Sequence, residues 1–368
     1  MLRRVLMTGA ALAMALVCGA ADAQQKTRVT VYTALESDQL QPYKQAFESD
    51  NPDIDIQWVR ESTGVITSRF LAEKDNPRAD VIWGLAVTSI IAFEKAGLIQ
   101  PYTPKGADQL KPAFRSTANP MAWTGMDAWL AVVCVNTVEQ KKANAPMPAS
   151  WMDLTDPKFK GQIVMPNPAS SGTGFLAIAG WMKAMGEAGA WSFMDKLHEN
   201  VAVYTHSGSA PCVQAARGER MVGIGFDMRG ASEKTRGAPI DLVIPKEGSG
   251  WDMEATAIVK GTRNLAAAQR VADFSVSRKA SELYGQVLCD RRRAGPQCRA
   301  AELSGQRGTV DAAARPRLDV GEPRPDPRRV DEALRRQVGA SLNRGDRGAP
   351  EEGSSGAPRF GPPAPGTT

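Results

Sequence analysis

Apolar and polar residues alternate along Thr-Arg-Val-Thr-Val-Tyr-Thr-Ala at positions 27–34, a β-rich run that predicts a first strand. The period then lengthens. Leu40, Tyr43 and Phe47 fall on one helical face, with Ser37 placed to cap the helix and Asn51-Pro52 to end it. Ile54, Ile56 and Trp58 alternate again as a second strand, and Ser62-Thr63-Gly64 opens a helix that stops near Asn76-Pro77. Residues 79–83 (Ala-Asp-Val-Ile-Trp) read as a third strand, 84–89 as a loop, and 90–96 as a helix closed by Gly97. Strands alternating with helices imply a mostly parallel sheet covered on both faces, with ligands at the carboxyl ends of its strands. Residues 33–36 and 84–89 then share one rim.

A second unit begins near Met126. Residues 128–136 form a strongly apolar strand, and residues 162–165 a short one before Pro166. Strand-like runs follow at 201–204, 222–226 and 240–244, with helical patterns at 175–185 and 213–216. Residues 251–259 read as a strand that returns to the first unit, and 264–277 as a helix. The expected fold is α/β with two lobes and a hinge, each lobe a mostly parallel sheet flanked by helices. One lobe spans 24–125 with a return segment 251–286, and the other spans 126–250. No internal repeat is present.

The chemistry concentrates in Pro166-Asn-Pro-Ala-Ser-Ser-Gly-Thr-Gly174, between the 162–165 strand and the next helix. A helix start carries unpaired N–H groups and partial positive charge, so it binds anions without a basic side chain. One Ser or Thr there is an ordinary cap. Ser170, Ser171 and Thr173 with Gly172 exceed what a cap needs and point to an oxyanion site. A second hydroxyl-rich loop, Thr205-His206-Ser207-Gly208-Ser209, precedes another helix. Thr33, Ser207 and Ser209, or Thr88 and Ser89 on the facing lobe, are candidates to complete the cage. Glu36, Asp227 and Glu254 lie at other strand ends and together suit a cation. The pattern describes a zwitterion, anionic at the hydroxyl nest and cationic among carboxylates. Arg229 could neutralise the oxyanion or pair with Asp227 or Glu254. Phe226 or Trp83 would cover the ligand's spacer.

The ends differ from the body. Arg3 and Arg4, the apolar run 5–20 and Ala21-Asp22-Ala23 form a secretory leader, 1–23, cleaved after Ala23. Cys18 follows bulky Val17, which argues against a lipoprotein. From about Val287 the text changes: 287–368 hold fifteen Arg, no Lys and ten Pro, with Phe360 the one aromatic residue. Such a composition fits a frameshifted reading of a GC-rich ending, or a genuine disordered basic tail, with one short helical pattern at 329–338. The net charge of +5 resides in these ends, because residues 24–286 balance 28 basic with 28 acidic side chains. A neutral body argues against a nucleic-acid surface. Only Cys134 and Cys212 lie in the body, and in an exported domain they form one disulfide or remain two buried thiols.

Catalytic patterns are missing. His198 and His206 are the only histidines, and no G-x-S-x-G, H-E-x-x-H, Walker loop or Cys/His metal spacing occurs. No cofactor or metal is expected.

The segments Val31-Tyr-Thr-Ala-Leu-Glu36, Ala79-Asp-Val-Ile-Trp-Gly84, Ile163 to Phe175, Met194-Asp-Lys-Leu-His-Glu-Asn200 and Tyr204-Thr-His-Ser-Gly-Ser209 resemble periplasmic 2-aminoethylphosphonate-binding proteins of ABC importers. These belong to the type II solute-binding group that includes ferric-iron-binding proteins. The resemblance covers about 27–286. It implies a monomeric two-lobe clamp that closes on its ligand and delivers it to an inner-membrane permease. Iron-binding relatives carry paired tyrosines where this chain has Phe226-Asp227. Relatives also continue past Tyr284 with a small-residue strand and further helices, and this chain's sequence departs from them there. The alternatives kept open are an iron or simple-oxyanion binder and an exported phosphonate or phosphate ester hydrolase.

Overall fold

The computed structural model describes residues 26–286; the expected leader and the 287–368 tail, with its 329–338 pattern, lie outside the described residues. The first half contains strands β1 (Thr27–Thr33), β2 (Ile54–Arg60), β3 (Val81–Ala86) and β4 (Ile99–Gln100), with helices α1 (Ser37–Asp50), α2 (Thr63–Ala72) and α3 (Val87–Lys95) between them. Then follow β5 (Thr124–Asn136), α4 (Thr137–Lys142), β6 (Ile163–Pro166), α5 (Gly172–His198), β7 (Val201–Thr205), α6 (Ala210–Ala216), β8 (Val222–Phe226), α7 (Asp227–Thr235) and β9 (Ile240–Val243). The described chain closes with β10 (Trp251–Val259), α8 (Leu265–Ser275) and α9 (Arg278–Gln286).

The strands run in the order β2-β1-β3-β10-β5-β8-β6-β7, with β4 beside β10 and β9 beside β5. β1 is parallel to β2 and β3, and β6 is parallel to β7 and β8. The expected parallel character therefore holds within each half, while β5 and β10 run antiparallel to their neighbours. β5 is long enough to serve three partners. Residues from Thr124 to Leu130 pair with β10, and those from Ala131 onward pair with β8 and β9.

Alternation along β1 and β3 sends successive side chains to opposite faces, and both faces are covered. Val29, Val31, Val81 and Trp83 pack with Tyr43, Phe47, Phe274 and Tyr284 on one face. Tyr32 and Ile82 pack with Ile66, Phe70 and Phe93 on the other. Trp83 is fully buried in the first of these clusters, and its Nε1–H donates to the Tyr284 hydroxyl at 3.0 Å, which in turn donates to the Ser275 carbonyl at 3.0 Å. This places Trp83 in the core and not beside a ligand. In the second half Trp181 meets both Trp151 and Phe193 edge-on. Cys134 and Cys212 are joined in a disulfide, fully buried in a cluster with Val132, Ala215 and Ile240.

Several local expectations shift. Glu36, not Ser37, caps α1, in a reciprocal capping box with Gln39. No loop separates β3 from α3: the chain turns from Ala86 directly into Val87. The long helix α5 is broken at Gly186, whose φ of 71° no side-chain-bearing residue adopts readily.

Candidate functional site

One cleft gathers the carboxyl ends of β1, β2 and β8 with the starts of α2 and α5. It holds a cavity of about 50 Å³ that opens to solvent, and is lined by residues that include Glu36, Arg60, Ser171, Thr173, Trp129 and Glu254.

The first wall is local in origin. β2 ends at Arg60, whose Nε donates to the Leu35 carbonyl at 3.0 Å, and Ser62 then adopts extended backbone as the N-cap of α2. The Ser62 hydroxyl is not spent on its own helix; it donates to the His206 carbonyl at 3.2 Å. Ser62 and Thr63 both face the cleft. The second wall repeats the pattern. Asn167 holds the loop through Oδ1, which accepts from the Ala169 N–H at 2.9 Å, and Ser171 caps α5 by accepting from the Gly174 N–H at 3.4 Å. Gly174 itself is fixed by crowding, since a Cβ there would stand 2.9 Å from the Pro168 nitrogen. Two helix N-termini thus open on one space, each with partial positive charge, although the Gly64, Val65 and Ile66 amides of α2 and the Gly174 and Phe175 amides of α5 are already bonded to Ser170, Ser62 and Ser171.

The walls touch. The Gly64 N–H donates to the Ser170 carbonyl at 2.9 Å, and a Cβ on Gly172 would sit 2.7 Å from Thr63 Oγ1. Glu36 joins the halves through charge: its carboxylate accepts from Arg229 Nη2 at 3.0 Å and from the Ser209 hydroxyl, with Arg60 Nη2 at 3.9 Å. An apolar floor completes the cleft, where Trp129 and Phe226 meet edge-on at 5.9 Å beside Met228.

Of the residues singled out from the sequence, Glu36, Ser171, Gly172, Thr173, Ser207, Phe226 and Glu254 line the cleft. The others are held elsewhere. The buried Thr33 hydroxyl contacts the Gly84 carbonyl at 3.4 Å and accepts from the Leu35 N–H at 3.1 Å. Thr88 donates to Asp252 at 2.7 Å, and Ser89 accepts from Thr67 at 2.9 Å. Ser170 turns its hydroxyl to the Asn167 and His206 carbonyls. Asp227 is buried and accepts from the Leu130 N–H at 3.1 Å; burial pushes its carboxyl up to about 6. Arg229 pairs with Glu36, Asp38 and Glu233 rather than with Asp227 or Glu254. Sequence reading left out Arg60, Ser62, Thr63, Trp129, Gly208 and Met228. For Arg60, Ser62 and Thr63 a signal existed: they stand at the end of a parallel strand and the start of its helix, the same order as 165–173. Among the described residues, no group of three or more His, Cys, Asp or Glu side chains is arranged to hold a metal ion, and no helix is long and apolar enough to cross a membrane.

Comparison with known proteins agrees with this architecture. An uncharacterized protein of Haemophilus influenzae is 34% identical over 270 residues, covering 73% of this chain and 77% of that protein. The periplasmic binding protein AfuA from Actinobacillus pleuropneumoniae, solved with exogenous fructose-6-phosphate bound, is 35% identical with a TM-score of 0.67, covering 70% of this chain and 82% of that one. The periplasmic binding protein P5PA is 27% identical with a TM-score of 0.69, covering 86% of this chain and 99% of that one. Residues 76–289 match the family of bacterial extracellular solute-binding proteins. With two lobes joined through β5 and β10 and a cleft of helix N-termini between them, the chain belongs to that family.

Proposed function

We propose that the chain is the periplasmic receptor of an ABC importer and that its cleft captures a small solute by a phosphoryl or phosphono head. The observation that carries this reading is the convergence of the α2 and α5 N-termini with the Arg60 guanidinium on one space. Amide donors and a guanidinium are the groups that hold tetrahedral oxyanions. Ser171, Thr173 and Ser207 add hydroxyls on the facing wall. Trp129, Phe226 and Met228 offer a surface for the body of the solute.

The apolar wall of Trp129, Phe226 and Met228 beside the polar groups favours a phosphate ester with a body of its own over a bare oxyanion. The likeness to AfuA, with fructose-6-phosphate bound, supports the same choice. A second reading is 2-aminoethylphosphonate, favoured by the two carboxyl side chains on the cleft wall, Glu36 and Glu254. Delivery to an inner-membrane permease follows from either reading, and neither asks the cleft to transform its ligand.

Calorimetry of the full chain with fructose 6-phosphate, 2-aminoethylphosphonate, inorganic phosphate and ferric citrate tests the proposal. Binding is expected for at least one of the first two. Arg60→Gln is expected to weaken it roughly tenfold to a hundredfold, the worth of a hydrogen bond to a charged group. Heat with ferric citrate alone, or binding indifferent to Arg60→Gln, would overturn it.

A further inference from the structure

The cleft wall holds two polar side chains, Glu254 and Trp129, that the oxyanion reading does not use. Glu254 lines the cleft from β10, and directly across the ladder from it stands Asp127 of β5. Asp127 Oδ1 is shut off from solvent and has no hydrogen-bond partner. Two residues along β5, on the same strand face, lies Trp129. It is 7% exposed, lines the same cleft, and its indole Nε1–H has no acceptor. Indole nitrogen can only donate. A buried, unused donor at a cleft wall is costly unless the bound solute supplies an acceptor.

Like charges directly opposite in a sheet destabilise it, and two adjacent carboxyl groups out of water cannot both ionise cheaply. The Glu254 backbone N–H donates to the Asp127 carboxyl and offsets part of this; the charges around the pair do not. Glu36 of the β1–α1 turn, Asp252 of β10 and Asp227 at the start of α7 add negative charge around the pair, while Tyr43 of α1 and Tyr284 of α9 are neutral. Arg60 is the cation that favours ionised Glu254, and it already faces Glu36.

We propose that Glu254 and Asp127 share a proton across the β5–β10 ladder, and that Glu254 and Trp129 together meet the bound solute as hydrogen-bond donors to an oxygen acceptor on its body. This rests on the oxyanion reading of the cleft and selects within it. A hydroxyl or carbonyl oxygen satisfies both donors. An ammonium group has no lone pair for the indole and gains little from a neutral carboxyl. The solute class is therefore a phosphate ester with an oxygenated body, in preference to an aminophosphonate.

Burial, first of all, raises both acids: Asp127 is pushed up to about 7, with Asp227 nearby adding to the shift, and Glu254 is held well above the carboxylate range, with Asp127, Glu36 and Asp252 adding to it. Opening the cleft to water relaxes Glu254, on its wall, toward an ordinary carboxylate near 4, while Asp127, which does not line the cleft, keeps its raised value. The closed, loaded state then binds more protons than the open one. Affinity is accordingly greatest in acid and falls as pH rises through and beyond the ordinary carboxylate range. Because the pair titrates as a unit, the slope belongs to both residues.

The test has three readouts on the full chain. Carbon-13 titration of the Asp127 carboxyl, in the absence of any solute, is expected to show a midpoint near 7 that drops in Glu254→Gln. Calorimetry with fructose 6-phosphate, from about pH 5 to about pH 8, is expected to show proton uptake that Glu254→Gln removes. That variant, whose amide donates at every pH, should bind more tightly than the unmodified chain at the alkaline end. Trp129→Phe keeps the ring against Phe226 and should weaken fructose 6-phosphate roughly threefold to tenfold while leaving the pH slope intact. Ordinary carboxylate titration of Asp127, or a pH slope unchanged by Glu254→Gln, overturns the proton-sharing pair. Binding of 2-aminoethylphosphonate that collapses in Glu254→Gln overturns the donor assignment. If no phosphate or phosphonate compound binds while Asp127 titrates near 7, the oxyanion reading fails and the carboxyl pair stands.

Discussion

Gly64→Ala should fold at least as stably as the parent chain and bind its solute roughly tenfold to a hundredfold more weakly. Gly64 is the second residue of α2, where alanine is the better helix former by about 1 kcal/mol. A loss of binding therefore cannot be a loss of fold. In the closed arrangement, however, a Cβ at this position would overlap the Ala169 carbonyl oxygen and stand 2.9 Å from the Ser170 oxygen, both of them backbone atoms. Backbone cannot rotate aside as a side chain can. The halves must separate or bend, at about 1–3 kcal/mol for overpacking of this kind, and the Gly64 N–H to Ser170 hydrogen bond is strained with them. Differential scanning calorimetry and solute titration, run together, check the claim. Lowered stability with intact affinity would show that closure does not depend on this contact.

The second large effect concerns stability alone. Replacing Cys134 and Cys212 by alanine should lower the unfolding free energy by about 4 kcal/mol, the loop-closure value for cysteines 78 residues apart. For a body of this size that corresponds to a melting temperature lower by roughly 10 °C. The bridge ties the C-terminal end of β5 to α6, and both cysteines are fully buried, so the replacement also leaves core volume unfilled. It lies in a core cluster, apart from the residues that line the cleft, so solute affinity well below the melting temperature should be unchanged. Thermal melts of the parent chain with and without reductant should show a difference of the same sign but smaller, because the reduced thiols still fill the core. An equal melting temperature under both conditions would mean that packing carries this region unaided.

The two helix-start loops differ in how plainly they can be read. Ser171, Gly172 and Thr173 are legible because strand, polar loop and helix follow one another within a dozen residues, and local order alone puts them at a helix start. Glu36 and Ser207 are legible by the weaker rule that parallel strands present their carboxyl ends together. Arg60, Ser62 and Thr63 obey both rules, yet a lone arginine and a capping serine are so ordinary that nothing in the text singles them out. Trp129 is different in kind. In a strand as apolar as β5, only the pairing of its first half with β10 decides which face meets the cleft. Hydroxyls mislead for the opposite reason: Thr33, Thr88 and Ser89 stand near the rim in sequence, but neighbouring backbone and side chains have already claimed them. The antiparallel course of β5 and β10 was likewise hidden, because apolar runs look alike in either direction.

Arg60 shares its field with Glu36, so its guanidinium is already partly compensated before any solute arrives. Glu36 in turn is shared with Arg229 and Ser209. The grip this produces is moderate by construction, and a shuttle is well served by that. A carrier that clasped its cargo with bare positive charge would hold it fast at the membrane, whereas one whose cation is already half claimed can let go.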